Sequence, residues 1–392
     1  MKMRTLISLI FVLATFALAV TVLVHRRVPS EEQCALGKEL FRDLDVNSIA
    51  CITIQGPTEQ LGLVKGKERW GVVQRYGYPA DFAKIKELVT KIVELNVGRS
   101  FSGNSEVLSR LQLISPLGKK RDPEECGTLL IFKDKEGNQL GGIIIGKAHR
   151  AGEGQIGSSG QYVRFPDDDM VYLVDKSFAF METDPKVWLA RELLKVEPVK
   201  IKRISCFKGD GKAVYVLERK AKGKDFEATG VLKAKELDRS KIRRLERAIS
   251  FLTLLDVAGR NPDVKGPGTD GKAYVSYELF DGTVYKIFPS RVKVNGKDEY
   301  HLRIRVGYIS SGKMTLGEDV SDRSGITGAG TTAARSEVQD KARQLNEQLS
   351  PWVFVVSKWV ADAFITDPER LVGKKGAKES QPRKSKPTQG KG

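Results

Sequence analysis

The feature that most constrains the fold of this chain is a pattern of apolar segments and turns that occurs twice. Asp81 opens one stretch with apolar residues at helical spacing, and Asp238 opens another with the same spacing. In both, the aspartate stands four positions before the first isoleucine, where its side chain can accept from the free amides of a helix N-terminus. The repetition predicts one structural unit built twice.

The offset between the two copies drifts by up to 22 positions from one matched segment to the next and then jumps by 44. Corresponding segments are Cys51 and Cys206, Trp70 and Phe226, Gly98-Arg99 and Gly259-Arg260, Val163-Arg164-Phe165 and Leu302-Arg303-Ile304, and Thr183-Asp184-Pro185 and Thr366-Asp367-Pro368. Between the last two pairs the offset rises from 139 to 183, which indicates an insertion at residues 308–350. We therefore predict a first unit at 49–198 and a second at 199–372.

Each copy contains short apolar strands separated by turns, so consecutive strands are expected to pair antiparallel. The helical stripes, which run to Leu95 and Leu255, need a sheet face to cover. We predict an α+β fold with two duplicated units of mainly antiparallel sheet, each covered by an amphipathic helix. One N-terminal transmembrane helix is expected to precede them, with a linker at 28–48 and a disordered basic tail at 373–392.

Residues 5–24 carry no charge and are flanked by basic residues. As a helix they would span about 30 Å, the thickness of a bilayer's hydrocarbon core. They predict a transmembrane anchor at 1–27 that binds the lipid bilayer. A cleaved signal peptide is the alternative, because Ala17-Leu18-Ala19 has the small-x-small form of a cleavage site. We expect a single-pass protein of the bacterial cytoplasmic (inner) membrane, its bulk facing the periplasm or cell exterior.

The net charge of +17 is concentrated at the ends of the chain. Residues 374–391 hold seven basic side chains against Glu379 alone. The remaining body is mildly basic and lacks the concentrated stripe of a nucleic-acid-binding protein, so no nucleic-acid partner is predicted. The tail is interpreted as a solvated end or as a binder of anionic lipid or an acidic polymer.

No motif predicts a catalytic, metal or cofactor site. Residues 152–157 spell GxGxxG, but a strand follows instead of the helix that a dinucleotide site needs. Asp167-Asp168-Asp169 lies between two strands and is interpreted as a turn. Ser205-Cys206-Phe207-Lys208 fits SxxK without its companion motifs, while His149 and His301 have no paired acidic motif.

The four cysteines form no CxxC pair, which disfavours a zinc ribbon. Cys51 and Cys206 occupy matching strand positions and are interpreted as small buried residues. In an oxidising compartment, Cys34 and Cys126 become possible disulfide partners. The sequence does not assign the disulfide state of any of them.

The insertion at 308–350 is the best candidate for a partner-contacting element, since long loops in compact domains are often binding elements. It combines a Gly/Ser/Thr-rich portion with a predicted helix at 334–349. The basic residues of that helix are Arg335, Lys341 and Arg343, which we predict as possible partner contacts. A tolerated insertion without a partner is the alternative.

The chain resembles the bacterial family catalogued as domain of unknown function 4340. The similarity covers about residues 49–372 and rests on packing patterns: Trp70-Gly71-Val72-Val73, Ala80-Asp81 with the following helix, Gly142-Ile143-Ile144-Ile145-Gly146, Gln161-Tyr162-Val163 and Val171-Tyr172-Leu173-Val174. The resemblance implies a membrane-anchored extracytoplasmic protein associated with ABC transporters of the gliding-motility type. It implies no catalytic residues.

Together these features predict a non-catalytic, membrane-anchored extracytoplasmic accessory or scaffold protein of an envelope or ABC-transport complex. Its expected partner is a membrane protein such as an ABC transporter subunit, and no cofactor is expected. A binding module for an acidic envelope polymer is the second hypothesis. An envelope hydrolase is the third, and it would need His149 or His301 to meet a carboxylate and a hydroxyl in one cleft.

Overall fold

The computed structural model describes residues 37, 39–118, 121–149, 160–208, 211–233, 235–260, 273–310, 313–316 and 329–373. The chain divides into two compact units. The first contains the chain up to Trp70 together with Phe82–Asp184. The second contains Gly71–Asp81 and the chain from Pro185 onward. The segment Gly71–Asp81 therefore comes from the first half of the sequence but belongs to the second unit.

The first sheet has nine strands in the order β4-β3-β2-β1-β6-β7-β8-β9-β5. The strands are β1 Cys51–Gln55, β2 Gln60–Lys65, β3 Trp70–Val72, β4 Tyr78–Pro79, β5 Val97–Ser102, β6 Thr128–Lys133, β7 Gln139–His149, β8 Gly160–Arg164 and β9 Met170–Val174. Two helices accompany them, α1 at Phe82–Val93 and α2 at Ser105–Arg110.

The second sheet also has nine strands, in the order β13-β12-β11-β16-β17-β18-β20-β15, with β19 paired to β18. A separate two-stranded sheet joins β10 to β14. The strands are β10 Glu192–Leu194, β11 Ile201–Phe207, β12 Ala213–Glu218, β13 Glu227–Thr229, β14 Leu252–Thr253, β15 Asp256–Arg260, β16 Tyr274–Leu279, β17 Thr283–Val294, β18 Lys297–Ser310, β19 Lys313–Leu316 and β20 Trp352–Val356. The helices are α3 Arg239–Arg247, α4 Ala329–Leu349 and α5 Lys358–Ala361.

The two large sheets share one strand order once β4 and β19 are set aside. In each, the first strand of the copy lies centrally, and the strand that follows the amphipathic helix, β5 or β15, lies at an edge. The chain preceding each helix makes the same backbone contact, because Asp81 N donates to Trp188 O at 2.7 Å and Asp238 N to Leu371 O at 2.8 Å. The repetition thus extends from strand order to single hydrogen bonds.

Apolar side chains at helical and strand spacing build the core of each unit. Helix α1 buries Ile85, Leu88 and Ile92, and α3 buries Ile242 and Leu245. Tyr277 on β16 is fully buried, and its hydroxyl donates to Leu245 O at 2.9 Å, so α3 covers this part of the second sheet. A buried phenol needs such a partner, since an unpaired one would be costly.

The contacts that hold the segment Gly71–Asp81 in the second unit include an ion pair and two aromatic contacts. The guanidinium of Arg75 binds the carboxylate of Asp256. The ring of Tyr78 meets those of Trp352 and Phe354 edge to face, with centroids 5.2 and 6.1 Å apart. Edge-to-face packing adds stabilisation beyond the burial of the rings.

The predicted α+β fold class is wrong, because antiparallel β-sheet dominates the described residues. The helical stripes predicted to run to Leu95 and Leu255 end earlier, at Val93 and Arg247. The chain after them forms the edge strands β5 and β15, which pair with β9 and β20. Apolar residues continue past the real helix ends because the chain that follows also buries apolar side chains. In a strand, alternate side chains point inward, and part of that pattern coincides with helical spacing.

The transmembrane helix predicted at the N-terminus lacks support in this fold. Residues 5–24 lie outside the described residues. Within the part of the chain that the structure describes, no helix is long and apolar enough to cross a membrane. The longest of these helices, α4, has 21 residues that mix alanine with charged side chains.

Candidate binding groove

Helix α3 presents an apolar face to the core and a basic face away from it. Its N-terminus is capped by Asp238, whose carboxylate accepts from the backbone amides of Ser240 and Lys241. This bonding, led by the Ser240 hydroxyl, holds the pKa of Asp238 below its usual value. With Ile242 and Leu245 buried, helical geometry places Arg243, Arg244 and Arg247 on the remaining faces.

An exposed aromatic ring lies in the short connection between α3 and β14. Ile249 is buried, and Leu252 enters β14, which pairs with β10. Between them Phe251 remains 71% exposed. The ammonium of Lys195 lies 5.4 Å from the centre of its ring. An exposed phenylalanine beside a cation gives an apolar surface with a positive rim.

Helix α5 supplies the other aromatic side chain. Ser357 caps it by accepting from Val360 N at 3.2 Å. Trp359 is 70% exposed, and its backbone carbonyl accepts from Arg244 Nη2 at 3.2 Å. The Arg244 guanidinium also lies 5.5 Å from the centre of the Trp359 ring. One arginine therefore joins α3 to α5.

These elements enclose a groove of about 690 Å³, which we call the arginine–aromatic groove. Its lining is Pro198, Ser240, Arg243, Arg244, Arg247, Ala248, Ser250, Phe251, Trp359, Val360 and Ala363. No carboxylate or side-chain amide is among them. Within the described residues, neither Arg243 nor Arg247 forms an ion pair with an acidic side chain. The groove is therefore a positive, partly apolar surface.

Two polar atoms of the lining are buried without a hydrogen-bond partner: Arg244 Nε and Ser250 Oγ. Leaving a buried donor unpaired costs about 1–3 kcal/mol, and more for a charged group. Both side chains belong to the groove, so an acceptor bound there could relieve the cost. This is the chemistry expected of a site for a carboxylate or another anion.

The neighbouring cavities differ because acidic side chains line them beside the basic ones. A cavity of about 760 Å³ includes Arg219, which bonds Glu246 at 2.5 Å and stacks over Phe226 at 3.8 Å. A smaller cavity of about 350 Å³ contains the ion pair of Arg291 with Asp298. Among these three cavities, the arginine–aromatic groove has the greatest excess of unpaired positive charge.

The partner contacts predicted on the insertion lie elsewhere. Arg335, Lys341 and Arg343 are exposed on α4 and do not line the groove. Lys341 pairs with Glu337 at 2.5 Å and Arg343 with Asp340 at 2.9 Å. Helix α4 itself packs on β18, where Asn346 Oδ1 accepts from Val306 N at 2.9 Å. Whether these three residues contact a partner stays a prediction.

Sequence reasoning missed the residues of the groove, although part of the signal was present. Aligning α3 with α1 through Ile242 and Ile85 places Arg244 opposite Glu87 and Arg247 opposite Thr90. Phe251 then falls opposite Glu94. At these three aligned positions the two copies carry different side chains, so the packing that the copies share does not constrain them. Trp359 had no such signal, because only folding brings it to α3.

The other candidate motifs have structural roles or lie outside the described residues. The GxGxxG at 152–157 lies outside them. The turn predicted at Asp167-Asp168-Asp169 is confirmed between β8 and β9, where Arg164 Nη1 donates to Asp168 O at 2.9 Å. Within the described ranges, no three His, Cys, Asp or Glu side chains cluster as metal ligands would.

Neither histidine named in the hydrolase hypothesis lines the groove. His149 Nδ1 lies 3.2 Å from the Tyr162 hydroxyl. His301 is buried with Nε2 2.5 Å from a Glu299 carboxylate oxygen. Ser205 of the SxxK sequence is buried within β11. The contacts of His149 and His301 and the burial of Ser205 are consistent with structural roles in the sheets.

The cysteines of the two copies differ in environment. Cys206 is buried, with Sγ 3.6 Å from Thr366 O, and burial raises its pKa to about 12. Cys51, at the matching position, is only half-buried. Cys126 is a buried free thiol, while Cys34, its possible disulfide partner, lies outside the described residues. A buried protonated thiol is unreactive.

A family model described as Domain of unknown function (DUF4340) matches residues 70–274, just over half of the chain. The chain therefore belongs to this family, which confirms the resemblance inferred from the sequence. No curated protein and no solved structure matches it significantly. The matched region includes α3 and Phe251 but ends before Trp359, so it contains one side of the groove.

Proposed function

We propose that this protein is a non-catalytic accessory or scaffold protein of an envelope or transport complex, and that its second unit holds a partner protein in the arginine–aromatic groove. The observation that carries the proposal is the uncompensated positive charge of the groove beside exposed Phe251 and Trp359. Arginine and aromatic residues dominate the binding energy of many protein interfaces.

We further propose that the complex lies at the bacterial cytoplasmic membrane, with the two units on its outer side. The support is the uncharged stretch at residues 5–24 with its basic flanks. A membrane-protein partner, such as an ABC transporter subunit, would then be within reach of the groove. Protease digestion of intact spheroplasts tests the location, because units on the outer side are degraded without lysis.

Proximity crosslinking in native membranes, followed by mass spectrometry, tests the scaffold role. The full chain is compared with a groove variant, Arg247→Thr with Phe251→Glu, which introduces the residues at the aligned positions of the first copy, Thr90 and Glu94. A second variant, Arg335→Ala with Lys341→Ala and Arg343→Ala, removes the charges on α4. We expect crosslinks to subunits of one transport or envelope complex that disappear in the groove variant and persist in the α4 variant.

Two results would contradict this proposal. Recovery of no membrane-protein partner with any of the chains would overturn the scaffold role. Loss of the crosslinks only in the α4 variant would move the partner contact from the groove to the insertion. Circular dichroism of each purified variant confirms that the fold is retained, since Arg247 and Phe251 are both exposed.

A further inference from the structure

Resting on the proposed function, we infer that the arginine–aromatic groove binds an acidic peptide segment of the partner, in which carboxylates alternate with apolar side chains. Three properties of the groove define this ligand: the distribution of its charges, its unpaired donors and its apolar surface. Each property comes from described residues of the second unit. Together they select among the anionic ligands that an arginine cluster could bind.

The positive charges are spread along one helix instead of being gathered at one point. Arg243, Arg244 and Arg247 cover four residue steps of α3, or roughly 6 Å at 1.5 Å per residue. A ligand that complements them carries negative charges at intervals along its length. Acidic side chains of a peptide provide such intervals, and arginine clusters recognise acidic motifs in this way. A lipid headgroup concentrates its charge at one end.

Carboxylate oxygens are suitable acceptors for the unpaired donors of the groove. Arg244 Nε and the Ser250 hydroxyl are both without a partner in the lining of the groove. Arg244 Nη2 is already fixed by Trp359 O, so the guanidinium has a defined orientation. A carboxylate that reached these donors would form charge-assisted hydrogen bonds, which are stronger than neutral ones. Arg243 and Arg247 are then available to further acidic side chains.

The apolar surface explains why a purely acidic chain is insufficient. Phe251, Trp359, Val360, Ala248 and Ala363 share the lining with the arginines. Apolar or aromatic side chains of the ligand would cover the two exposed rings, removing their surface from water. An acidic polysaccharide fits less well, because its many hydroxyls need acceptors. The lining offers the serine hydroxyls as its only side-chain acceptors.

Fluorescence anisotropy with the full-length protein in detergent tests this inference. The probe is a short labelled peptide in which glutamates alternate with leucines and phenylalanines. We expect saturable binding that weakens at least about tenfold in Arg247→Thr and again in Phe251→Glu. The matched control is Lys86→Thr, which removes an exposed cation from α1 and should leave the affinity unchanged.

Four control ligands decide the chemistry. A peptide with lysines in place of glutamates and an all-glutamate peptide without apolar residues should both bind at least tenfold more weakly. Phosphatidylglycerol vesicles and a uronic acid polymer should show no binding that depends on Arg247. If either one binds in an Arg247-dependent way while the acidic apolar peptide does not, the ligand is a lipid or a glycan and the inference is overturned.

Failure of the inference and failure of the proposed function give different results. If the acidic apolar peptide does not bind, but crosslinks to a transport or envelope complex still depend on Arg247, the scaffold role stands and the peptide class is wrong. If the peptide binds through Arg247 and Phe251 but no membrane-protein partner is recovered, the inference stands and the scaffold role falls.

Discussion

Helices α1 and α3 bury the same apolar stripe but expose different chemistry. Ile85 and Leu88 of α1 correspond to Ile242 and Leu245 of α3, and all four are buried. On the exposed side, Lys91 of α1 pairs with Glu87 at 2.9 Å and lies 4.2 Å from the centre of the Phe180 ring. Lys91 is therefore paired within the first unit.

Among the described residues, neither Arg244 nor Arg247 of α3 forms an ion pair with a carboxylate. Arg244 replaces Glu87, so the carboxylate that would pair with a neighbouring cation is absent. Arg247 replaces Thr90, and Phe251 replaces Glu94. The change from an internally paired surface to an unpaired positive one costs nothing in core packing. The comparison teaches that the buried positions keep the fold while the exposed positions are free to acquire a binding role.

The largest expected effect tests the shared part of the comparison. Leu88→Ala and Leu245→Ala should each lower the free energy of unfolding by about 2–5 kcal/mol, because both leucines are fully buried. Denaturant unfolding of the full chain measures the loss, with the exposed Thr90→Ala as control. A loss below about 1 kcal/mol at Leu245 alone would show that the two helices do not have equivalent packing roles.

Exchanging the exposed residues tests the difference between the helices. A variant carrying Arg244→Glu, Arg247→Thr and Phe251→Glu gives α3 the surface of α1. We expect affinity for the acidic apolar peptide to fall roughly 10- to 100-fold, or about 1.4–2.8 kcal/mol, without loss of helical circular dichroism. Titration calorimetry measures the change.

The reverse exchange tests whether Trp359 is needed for binding. A variant with Glu87→Arg, Thr90→Arg and Glu94→Phe gives α1 the surface of α3, but the first unit has Ser177 near the position equivalent to Trp359. We expect no second binding site in calorimetry. Appearance of a second site of similar affinity would show that α3 alone is sufficient for binding.

A smaller effect is expected at the helix cap. Asp238→Ala should destabilise the second unit by about 1 kcal/mol, because it removes the acceptor for two backbone amides of α3. The pKa of Asp238 is lowered in the folded protein, so its stabilising contribution is present above the ordinary value of 3.8 and is lost as pH falls through the folded pKa. Thermal unfolding of protein and variant should therefore converge in acid and differ most near neutral pH.

The smallest effect is expected on α4. Lys341→Ala removes an ion pair with Glu337 in which both side chains are exposed, and such pairs contribute little to stability. Unfolding by urea should barely change, and affinity for the acidic apolar peptide should remain within twofold. A larger loss of affinity would place part of the binding surface on the insertion.

Individual elements, but not the fold class, followed from local patterns. The apolar spacing predicted the helices at Asp81 and Asp238, and the position of Asp167-Asp168-Asp169 between two strands predicted the turn. The β content exceeds the prediction, because the chain that follows each helix forms an edge strand, β5 or β15. Edge strands are short, and their pairing with β9 and β20 joins residues far apart in sequence.

The sequence by itself determined which residues enter each core, because the spacing of apolar side chains is a local property. It also contained the family membership and the contrast between the exposed faces of α1 and α3. Only the tertiary structure decided that Arg244 meets Trp359, 115 residues away, and that Arg244 Nε and Ser250 Oγ stay unpaired. The contact and the two unpaired donors depend on the distances between α3 and α5. Long-range packing sets these distances, and local sequence patterns do not contain them.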